Sequence, residues 1–418
     1  MKKILIITYY WPPSGGAGVQ RWLKMSQYLR DLGFDLTVLT VDESTAMYPQ
    51  QDASLEEEAS GLNVVKTKAL SLSKFLKKKK SIPFGGFVSE KRPSLKTRLM
   101  LWVRGNLIFP DPRVLWNFSA YRKAKNLIIK NNISTVITSS PPHSTQLIGL
   151  KLKQFFGEKI NWITDFRDPW TDIYYFDQLG IGAKMLKKHK HYEKLILQKA
   201  NSVLSVGPEL VTMLQDKVID AEKNKFYSIP NGYDERDFSD LIVPDVEVAD
   251  LTYTGSLGDK YDLNGFITAL KLVPKGFFFR FIGNIHPKWK QKIEQDLDGY
   301  VKMEWLQELS HKDALGYLFK SKTQLLVIPR VEQNDCIITG KLFEYLRSHK
   351  RVLGIGPVNG DAAKILRECK SGAMFNYDDS ESIAKFLNET QIENLADLEL
   401  IRQHSRKDLT KKLSHLIQ

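Results

Sequence analysis

Cysteine is scarce in this 418-residue chain. The two cysteines, Cys336 and Cys369, belong to no Cys-x-x-Cys or histidine-rich pattern, which argues against a disulfide framework and a zinc site. Long apolar runs are also missing, so no segment is expected to span a bilayer. The short apolar start MKKILIITYYWPP has no small-residue cleavage site after it and indicates a buried first strand rather than a signal peptide. These absences predict a cytosolic protein.

Size and charge narrow the class of protein further. A chain of 418 residues exceeds what one hydrophobic core usually fills, so we expect two domains. The formal charge of +13 and the isoelectric point near 9.3 predict an affinity for anionic partners. Phosphorylated small molecules, a membrane surface and nucleic acid all satisfy that expectation, and charge alone does not choose among them.

Two series of apolar runs divide the chain. Most runs are separated by helical segments, and many are continuously apolar, as in parallel strands buried on both faces. Each series therefore predicts a doubly wound, Rossmann-like α/β domain. The first series comprises residues 3–8, 35–41, 135–140, 160–166, 201–207 and 225–232, and the second 250–258, 277–284, 301–306, 324–330 and 351–356.

Domain boundaries follow from these two series. Apolar periodicity lapses in the polar stretch 233–250, which we take as the joint. The expected domains are residues 1–232 and 233–397, with a C-terminal helix in 398–418 that packs back toward the first domain.

A basic segment interrupts the first series. Residues 66–104 hold twelve Lys or Arg and one acidic residue, Glu90, with apolar side chains interleaved. A solvated surface loop explains this composition. A face that docks on anionic lipid headgroups, or that holds a polyanionic acceptor, explains it equally well.

The stretch PPSGGAGVQR follows the first strand and contains Gly16, Gly18 and Arg21. Seven residues separate the strand from Gly16 and Arg21 stands where a third glycine would be, so the stretch does not match a dinucleotide-binding fingerprint. No GK[ST] follows, which excludes a P-loop. An ordinary flexible turn remains an alternative, but two prolines stiffen the approach. A longer loop of this kind lets the backbone approach a ligand beside a helix N-terminus.

Several motifs together carry a family resemblance along nearly the whole chain. They are PPSGGAGVQRWLKMSQYLRDLGFDLTVLT, SVGPEL, IPNGYDERDF, LTYTGSL and TGKLFEYLRSHKRVLGIG. On these motifs the chain resembles the family 4 retaining glycosyltransferases of the GT-B type. The resemblance implies two Rossmann-like domains facing across a cleft, a nucleoside diphosphate sugar bound by the second domain, and a loop at Gly16 and Gly18 that closes over the donor phosphates.

The segment GKLFEYL places Lys341 and Glu344 on one face of a helix near its N-terminus. An exposed i, i+3 salt pair is the alternative to a ligand site here. The resemblance favours the site, with Glu344 accepting the ribose diol and Lys341 neutralising the diphosphate. Family members carry a further Glu eight positions earlier, where this chain has Cys336. The resemblance therefore implies that the sugar hydroxyls are bound by Asp335, or by the backbone from Cys336 to Gly340 including Thr339.

A second departure concerns the diphosphate clamp. The family often places an Arg and a Lys after the first strand of the second domain, whereas this chain reads YTGSLGDKYDLNGF. Lys260 is then expected to supply one charge, and Ser256 and Gly255 hydrogen bonds. Arg330 and Lys341 are the candidates to replace the missing Arg, because strand C-termini point into the ligand crevice of such sheets.

In the first domain, His143 follows the strand TVITSS and corresponds to a His-containing loop of the family, which implies contact with the donor sugar or stabilisation of charge. A structural role for this lone His is the alternative. Asp165, Arg167 and Asp168 follow the next strand, and with Arg21 they are predicted to bind the acceptor. A loop-stabilising Asp and Arg pair is the alternative there.

The sequence thus predicts a retaining glycosyltransferase that uses a nucleoside diphosphate sugar as co-substrate, with no metal and no other cofactor. The single DxD, from Asp296 to Asp298, lies in a charged helix-like stretch rather than after a strand. The expected acceptor is a glycan or lipid-linked glycan, met in the cytoplasm or peripherally on the inner face of the cell membrane. The alternatives are a non-catalytic basic module that binds nucleic acid or anionic polysaccharide, and an epimerase. No nucleic-acid-binding signature supports the first alternative.

Overall fold

The computed structural model describes residues 2–49, 51–70, 95–174, 176–389 and 396–417. The chain forms two compact units. Unit 1 comprises Met1–Pro230 and Thr410–Gln418, and unit 2 comprises Asn231–Leu409. The last helix, α15 (Arg406–Ser414), contains the second passage of the chain from one unit to the other.

Unit 1 alternates strands and helices. Its strands are β1 (Lys3–Ile7), β2 (Asp35–Val41), β3 (Asn63–Thr67), β4 (Thr135–Ser140), β5 (Asn161–Phe166), β6 (Ser202–Ser205) and β7 (Phe226–Ser228). Its helices are α1 (Ala17–Asp31), α2 (Ser54–Glu58), α3 (Leu95–Leu107), α4 (Asn117–Asn131), α5 (Ser144–Phe156), α6 (Ala183–Lys199) and α7 (Pro208–Gln215).

The sheet of unit 1 is parallel, with the order β3-β2-β1-β4-β5-β6-β7. The direction in which successive strands are added to the sheet reverses between β1 and β4. The loops that follow these two strands therefore run apart and leave a crevice between them. The predicted continuous apolar run is confirmed in β1, where Ile4, Leu5, Ile6 and Ile7 are fully buried. The glycine stretch of the sequence follows β1, at this reversal point.

Unit 2 repeats the arrangement. Its strands are β8 (Ala249–Thr254), β9 (Phe277–Ile282), β10 (Val301–Leu306), β11 (Ser321–Val327), β12 (Arg351–Ile355) and β13 (Gly372–Phe375). Its helices are α8 (Asn264–Leu270), α9 (Pro287–Asp296), α10 (His311–Leu318), α11 (Gly340–Arg347), α12 (Asp361–Glu368), α13 (Ser380–Asn388) and α14 (Leu398–Arg402).

The parallel sheet of unit 2 has the order β10-β9-β8-β11-β12-β13 and reverses between β8 and β11. Successive side chains of β11 enter different cores: Leu325 and Val327 pack with Phe266 and Trp289, whereas Leu326 packs with α11 and α12. Because strand side chains alternate between faces, each face of the sheet is covered by helices. This confirms the predicted doubly wound class.

Two edge strands were missed by the sequence analysis. The short strands β3 and β13 expose or half-expose their side chains, so they lack the apolar run by which the inner strands are recognised. Within the basic segment 66–104, the residues from Leu95 onward lie in α3. Residues 71–94 of that segment lie outside the described residues.

Candidate functional site

The C-terminal end of β8 meets the first turn of α11. Lys341 of α11 donates a hydrogen bond of 2.7 Å from Nζ to the hydroxyl of Tyr253, and this hydroxyl donates to the carbonyl of Ser256 at 2.9 Å. A methyl group added to Gly255 would lie 2.9 Å from Lys341 Nζ, so the lysine approaches the backbone of the loop after β8 closely. The predicted donor residues Gly255, Ser256 and Lys341 are therefore neighbours.

The Lys341 ammonium is a half-buried charge with a neutral partner. Among the described residues, no carboxylate lies within salt-bridge distance of its Nζ, and burial lowers the pKa of the lysine to about 7 although Glu344 opposes the shift. Thr339, at the N-cap of α11, makes no side-chain capping hydrogen bond, which leaves the amides of Gly340 and Lys341 uncapped by it. A half-buried cation beside helix N-terminal amides is suited to bind an anion.

Glu344 lies one helical turn beyond Lys341 and is paired. Its Oε1 lies 2.8 Å from Nε2 of His311, the first residue of α10. Burial disfavours the carboxylate, but the hydrogen bond and charge of His311, together with Arg406 and Lys341, hold the pKa of Glu344 below its usual value. Burial likewise disfavours a charged His311, yet Glu344 raises the pKa of the ring. The carboxylate of Glu344 is therefore held in its ionised form and can accept hydrogen bonds from hydroxyl groups.

Arg330 forms ion pairs with two carboxylates. Its guanidinium contacts Asp262 Oδ2 at 2.8 Å and Asp378 Oδ2 at 3.1 Å, and its backbone amide bonds to the carbonyl of Lys260. Hydrogen bonds to Asp262 and Asp378 raise the pKa of Arg330. The geometry thus favours a role for Arg330 in fixing the loop after β8 over the predicted role of a diphosphate clamp. The exposed Lys260 is part of that loop.

The loop between β11 and α11 carries the predicted sugar contacts. Asp335 is exposed within a short 3-10 turn, Asn334–Cys336, and its neighbour Cys336 is buried with Sγ bonded to the carbonyl of Gln333. Asn334 ties the turn to the carbonyl of Pro329 and to the hydroxyl of Tyr377. The turn is therefore held by side chains other than Asp335, and the carboxylate of Asp335 is accessible to a ligand.

In unit 1 the glycine loop lies beside Arg167. Gly16 adopts φ +102°, which favours glycine, and it precedes α1. A methyl group added to Gly18 would lie 1.4 Å from Arg167 Nη1. The same guanidinium donates to the carbonyls of Ser140 and Pro141 after β4. Gly18 and Arg167 therefore lie together at the reversal point between β1 and β4, with Gly16 two residues before Gly18.

Arg21 and Asp165 lie in the interior of unit 1 instead of at its surface. Both side chains are fully buried and form an ion pair of 3.0 Å. Arg21 also donates to the carbonyls of Ile229 and Pro230, while Asp165 accepts from Trp22 and Ser139. A ligand could reach neither group without breaking the pair, so the geometry favours the structural alternative over acceptor binding for these two residues.

His143 stacks on Trp170, with ring centroids 5.0 Å apart and an interplanar angle of 7°. Burial lowers the pKa of His143 to about 3, helped by the neighbouring His189. The ring is therefore neutral near pH 7, and it offers a hydrogen bond rather than positive charge. Asp168 lies in the same loop as Trp170; burial raises the pKa of its carboxyl, and Arg167 opposes the shift.

Two contributors to the unit 2 site were not found from the sequence. Tyr253 lies in LTYTGSL, but its apolar neighbours mark it only as a buried strand residue. His311 follows the Ser310 cap of α10 and meets Glu344 33 residues further along the chain. No local pattern signals a pairing between two helices that pack only in the folded unit.

Comparisons with known proteins rest on structure alone. No family model and no curated sequence matches the chain. Anabaena HepE, solved in complex with UDP, aligns with a TM-score of 0.59 and 13% identity over 99% of each chain. The lipopolysaccharide outer core galactosyltransferase WaaB gives 0.60 and 11% over 99% of each chain. TarM gives 0.60 and 11% over 100% of this chain and 99% of its own.

This chain has the GT-B fold. The expectation drawn from the sequence motifs is thereby confirmed at the level of fold. The sites described above lie at the C-terminal edges of the two parallel GT-B sheets, where open α/β sheets bind ligands. Among the described residues, no helix is long and apolar enough to cross a membrane.

Proposed function

We propose that the protein is a glycosyltransferase that moves a sugar from a nucleoside diphosphate sugar to an acceptor hydroxyl with retention of anomeric configuration. The observation that carries the proposal is Lys341, a half-buried ammonium with a neutral partner, one turn from the ionised Glu344. This pair has the charges that a nucleoside diphosphate requires, because a cation meets the phosphates and a carboxylate accepts from the ribose diol. HepE, of the same fold, was solved with UDP.

Lys341 then stabilises the leaving diphosphate. Its ammonium and the amides of Gly340 and Lys341 neutralise the charge that develops when the glycosidic bond breaks. A diphosphate oxygen takes the proton of the acceptor hydroxyl, so no separate general base is required. Lys260 adds a second positive charge from the loop after β8. Asp335, Thr339 and the backbone from Cys336 to Gly340 bind the sugar hydroxyls. They replace the carboxylate that family members carry at the position of Cys336.

Unit 1 supplies the acceptor residues in this proposal. Arg167 and Asp168 offer a donor and an acceptor of hydrogen bonds, and the neutral ring of His143 contacts the transferred sugar. We assign Gly16 and Gly18 to the loop that approaches the donor phosphates. Arg21 and Asp165 support this region from the interior of unit 1, where both side chains are buried.

The acceptor is a glycan or lipid-linked glycan at an anionic membrane surface. Support comes from α3, which contains three basic residues and no acidic one. Leu95, Leu99 and Trp102 share one face of this helix and are 81%, 62% and 49% exposed. An apolar face with basic flanks is suited to the headgroup region of a membrane. Sedimentation with phosphatidylglycerol vesicles, but not with phosphatidylcholine vesicles, is the expected result.

A panel of sugar nucleotides that differ in base and sugar tests the proposal. The cognate donor should raise the melting temperature, because a ligand at about 100 times its Kd stabilises a protein by about 2.7 kcal/mol. Glu344→Gln should lose this shift although the variant still folds cooperatively. Salt-sensitive binding of oligonucleotides without nucleotide affinity would support the basic module instead. Conversion of the donor sugar without any acceptor would identify an epimerase.

A further inference from the structure

The start of α10 is fixed next to the carboxylate of α11. Ser310 and Asp313 form reciprocal hydrogen bonds that cap α10, with Asp313 N donating to Ser310 Oγ at 3.1 Å. This cap fixes the backbone on both sides of His311. Nε2 of His311 then lies 2.8 Å from Glu344 Oε1.

Only one oxygen of Glu344 is used in this pair. Oε1 contacts His311, whereas among the described residues no hydrogen bond reaches Oε2. The side chain of Glu344 is 22% exposed and that of His311 is 40% exposed. A ligand hydroxyl can therefore reach the carboxylate while the imidazole still holds it.

Three further charged groups of unit 2 face the pair. Glu344 faces Lys341 of its own helix and Arg406 of α15, besides His311. His311 faces Glu344, Asp237 and Arg406. Asp237 and Arg406 contact each other at 3.8 Å and so largely offset one another. The proton on His311 therefore offsets the charge of Glu344, and it is lost when the pH rises past the raised pKa of the ring.

We propose that His311 is a positioning residue that orients and charge-balances Glu344 for the ribose of the donor, so that donor affinity depends on the proton of His311. The inference rests on the proposed function, in which Glu344 accepts from the ribose. The hydrogen bond selects one orientation of the carboxylate before the nucleotide arrives, which lowers the conformational cost of binding.

The sign of the pH effect follows from the charges. A protonated His311 offsets the negative charge of Glu344, which otherwise repels the diphosphate of the donor. When the pH rises past the pKa of His311, which Glu344 raises above the usual value, this compensation is lost. Donor affinity should then fall, and donor binding above that pH should be accompanied by uptake of a proton.

Three variants of the full chain separate positioning from mere structural support. His311→Gln keeps a hydrogen-bond donor but cannot titrate, His311→Ala removes both properties, and His191→Gln replaces an exposed histidine of unit 1 as a control. Each is titrated with the sugar nucleotide that the panel selects and with its 2′-deoxy form. A sugar nucleotide is the suitable probe because its diphosphate has no proton that titrates near neutrality. Proton uptake is measured by calorimetry in two buffers that differ in ionisation enthalpy.

We expect the wild type and His191→Gln to prefer the ribose form by about tenfold, which is the effect of one hydrogen bond to a charged group. His311→Ala should reduce this preference to less than about threefold, and His311→Gln should restore it. Both His311 variants should take up less proton than the wild type. The inference is overturned if His311→Ala keeps the ribose preference, or if His311→Gln keeps the full proton uptake. If the wild type binds no sugar nucleotide, the proposed function fails and this inference fails with it.

Discussion

Lys341 Nζ lies 2.7 Å from the hydroxyl of Tyr253 and 4.1 Å from the centre of its ring. The ammonium is therefore sheltered by an aromatic side chain that carries no charge to balance it. Burial lowers the pKa of this lysine to about 7, and an arriving diphosphate would supply the missing negative charge. This relationship makes the donor site sensitive to pH and to the loss of one side chain.

Donor affinity should depend on the proton of Lys341. Below pH 7 the free lysine is already charged, and affinity changes little with pH on its account. Above pH 7 the free site must gain a proton when the diphosphate binds, so affinity should fall by up to about tenfold per pH unit from this group alone. Titration calorimetry between pH 6 and pH 9 measures the slope. Lys341→Arg, which stays protonated throughout, should lose this part of the pH dependence.

Lys341→Met should weaken donor binding by about 10-fold to 100-fold, which corresponds to the loss of a charge-assisted hydrogen bond. Its melting temperature should not fall, because a poorly solvated cation is removed from the folded state. Lys275→Met is the matched control, since Lys275 is exposed and precedes β9, away from the strand C-termini. An equal loss of affinity in both variants would show that net charge, and not a site at Lys341, controls binding.

Arg330→Gln should leave donor affinity within about threefold of the wild type, because Asp262 and Asp378 occupy the guanidinium. Its cost in stability should be small, since the group is half-exposed and water screens its ion pairs. Urea denaturation and donor titration give the two values. A loss of affinity as large as that of Lys341→Met would restore Arg330 as a diphosphate ligand.

Asp165→Ala should destabilise the protein by about 3–5 kcal/mol, because the substitution leaves the guanidinium of Arg21 buried without its counter-charge. Trp22 and Ser139 lose their acceptor in the same variant. The midpoint of urea unfolding measures the effect. Asp172→Ala is a suitable comparison, as its partly exposed partner Lys217 keeps Glu193. Similar small costs in both variants would contradict the structural assignment of Asp165.

Gly18→Ala should fold but lose transferase activity. The new methyl group collides with the Nη1 end of Arg167, a flexible side chain that can move away. The move breaks the contacts of Arg167 with the carbonyls of Ser140 and Pro141 and displaces a group that we assign to the acceptor. Gly258→Ala is a control with ordinary space for its methyl group. Full activity in Gly18→Ala would remove Arg167 from the acceptor site.

The inner strands of the two sheets could be predicted from the sequence because their residues form local apolar patterns. The apolar runs of β1 and of the unit 2 strands predict parallel strands that are buried on both faces. The edge strand β3 was not predicted because all its side chains are half-buried or exposed and its only apolar residues are Val64 and Val65. Apolar periodicity indicates burial, and an edge strand is only partly buried.

The candidate site was predicted only in part. Lys341 and Glu344 follow from their spacing on one helix together with the family resemblance. The pairing of Glu344 with His311 and of Arg21 with Asp165 joins residues 33 and 144 positions apart, and only the fold brings such residues together. Charge in a sequence marks possible ligands, but whether a charge is free for a ligand depends on partners that no local pattern reveals.

The decisive experiment is a crystal structure with the sugar nucleotide that the panel selects. We expect the diphosphate within hydrogen-bond distance of Lys341 Nζ and the amide of Gly340, with the ribose hydroxyls on Glu344. A nucleotide bound elsewhere, with Lys341 still bonded only to Tyr253, would contradict this expectation.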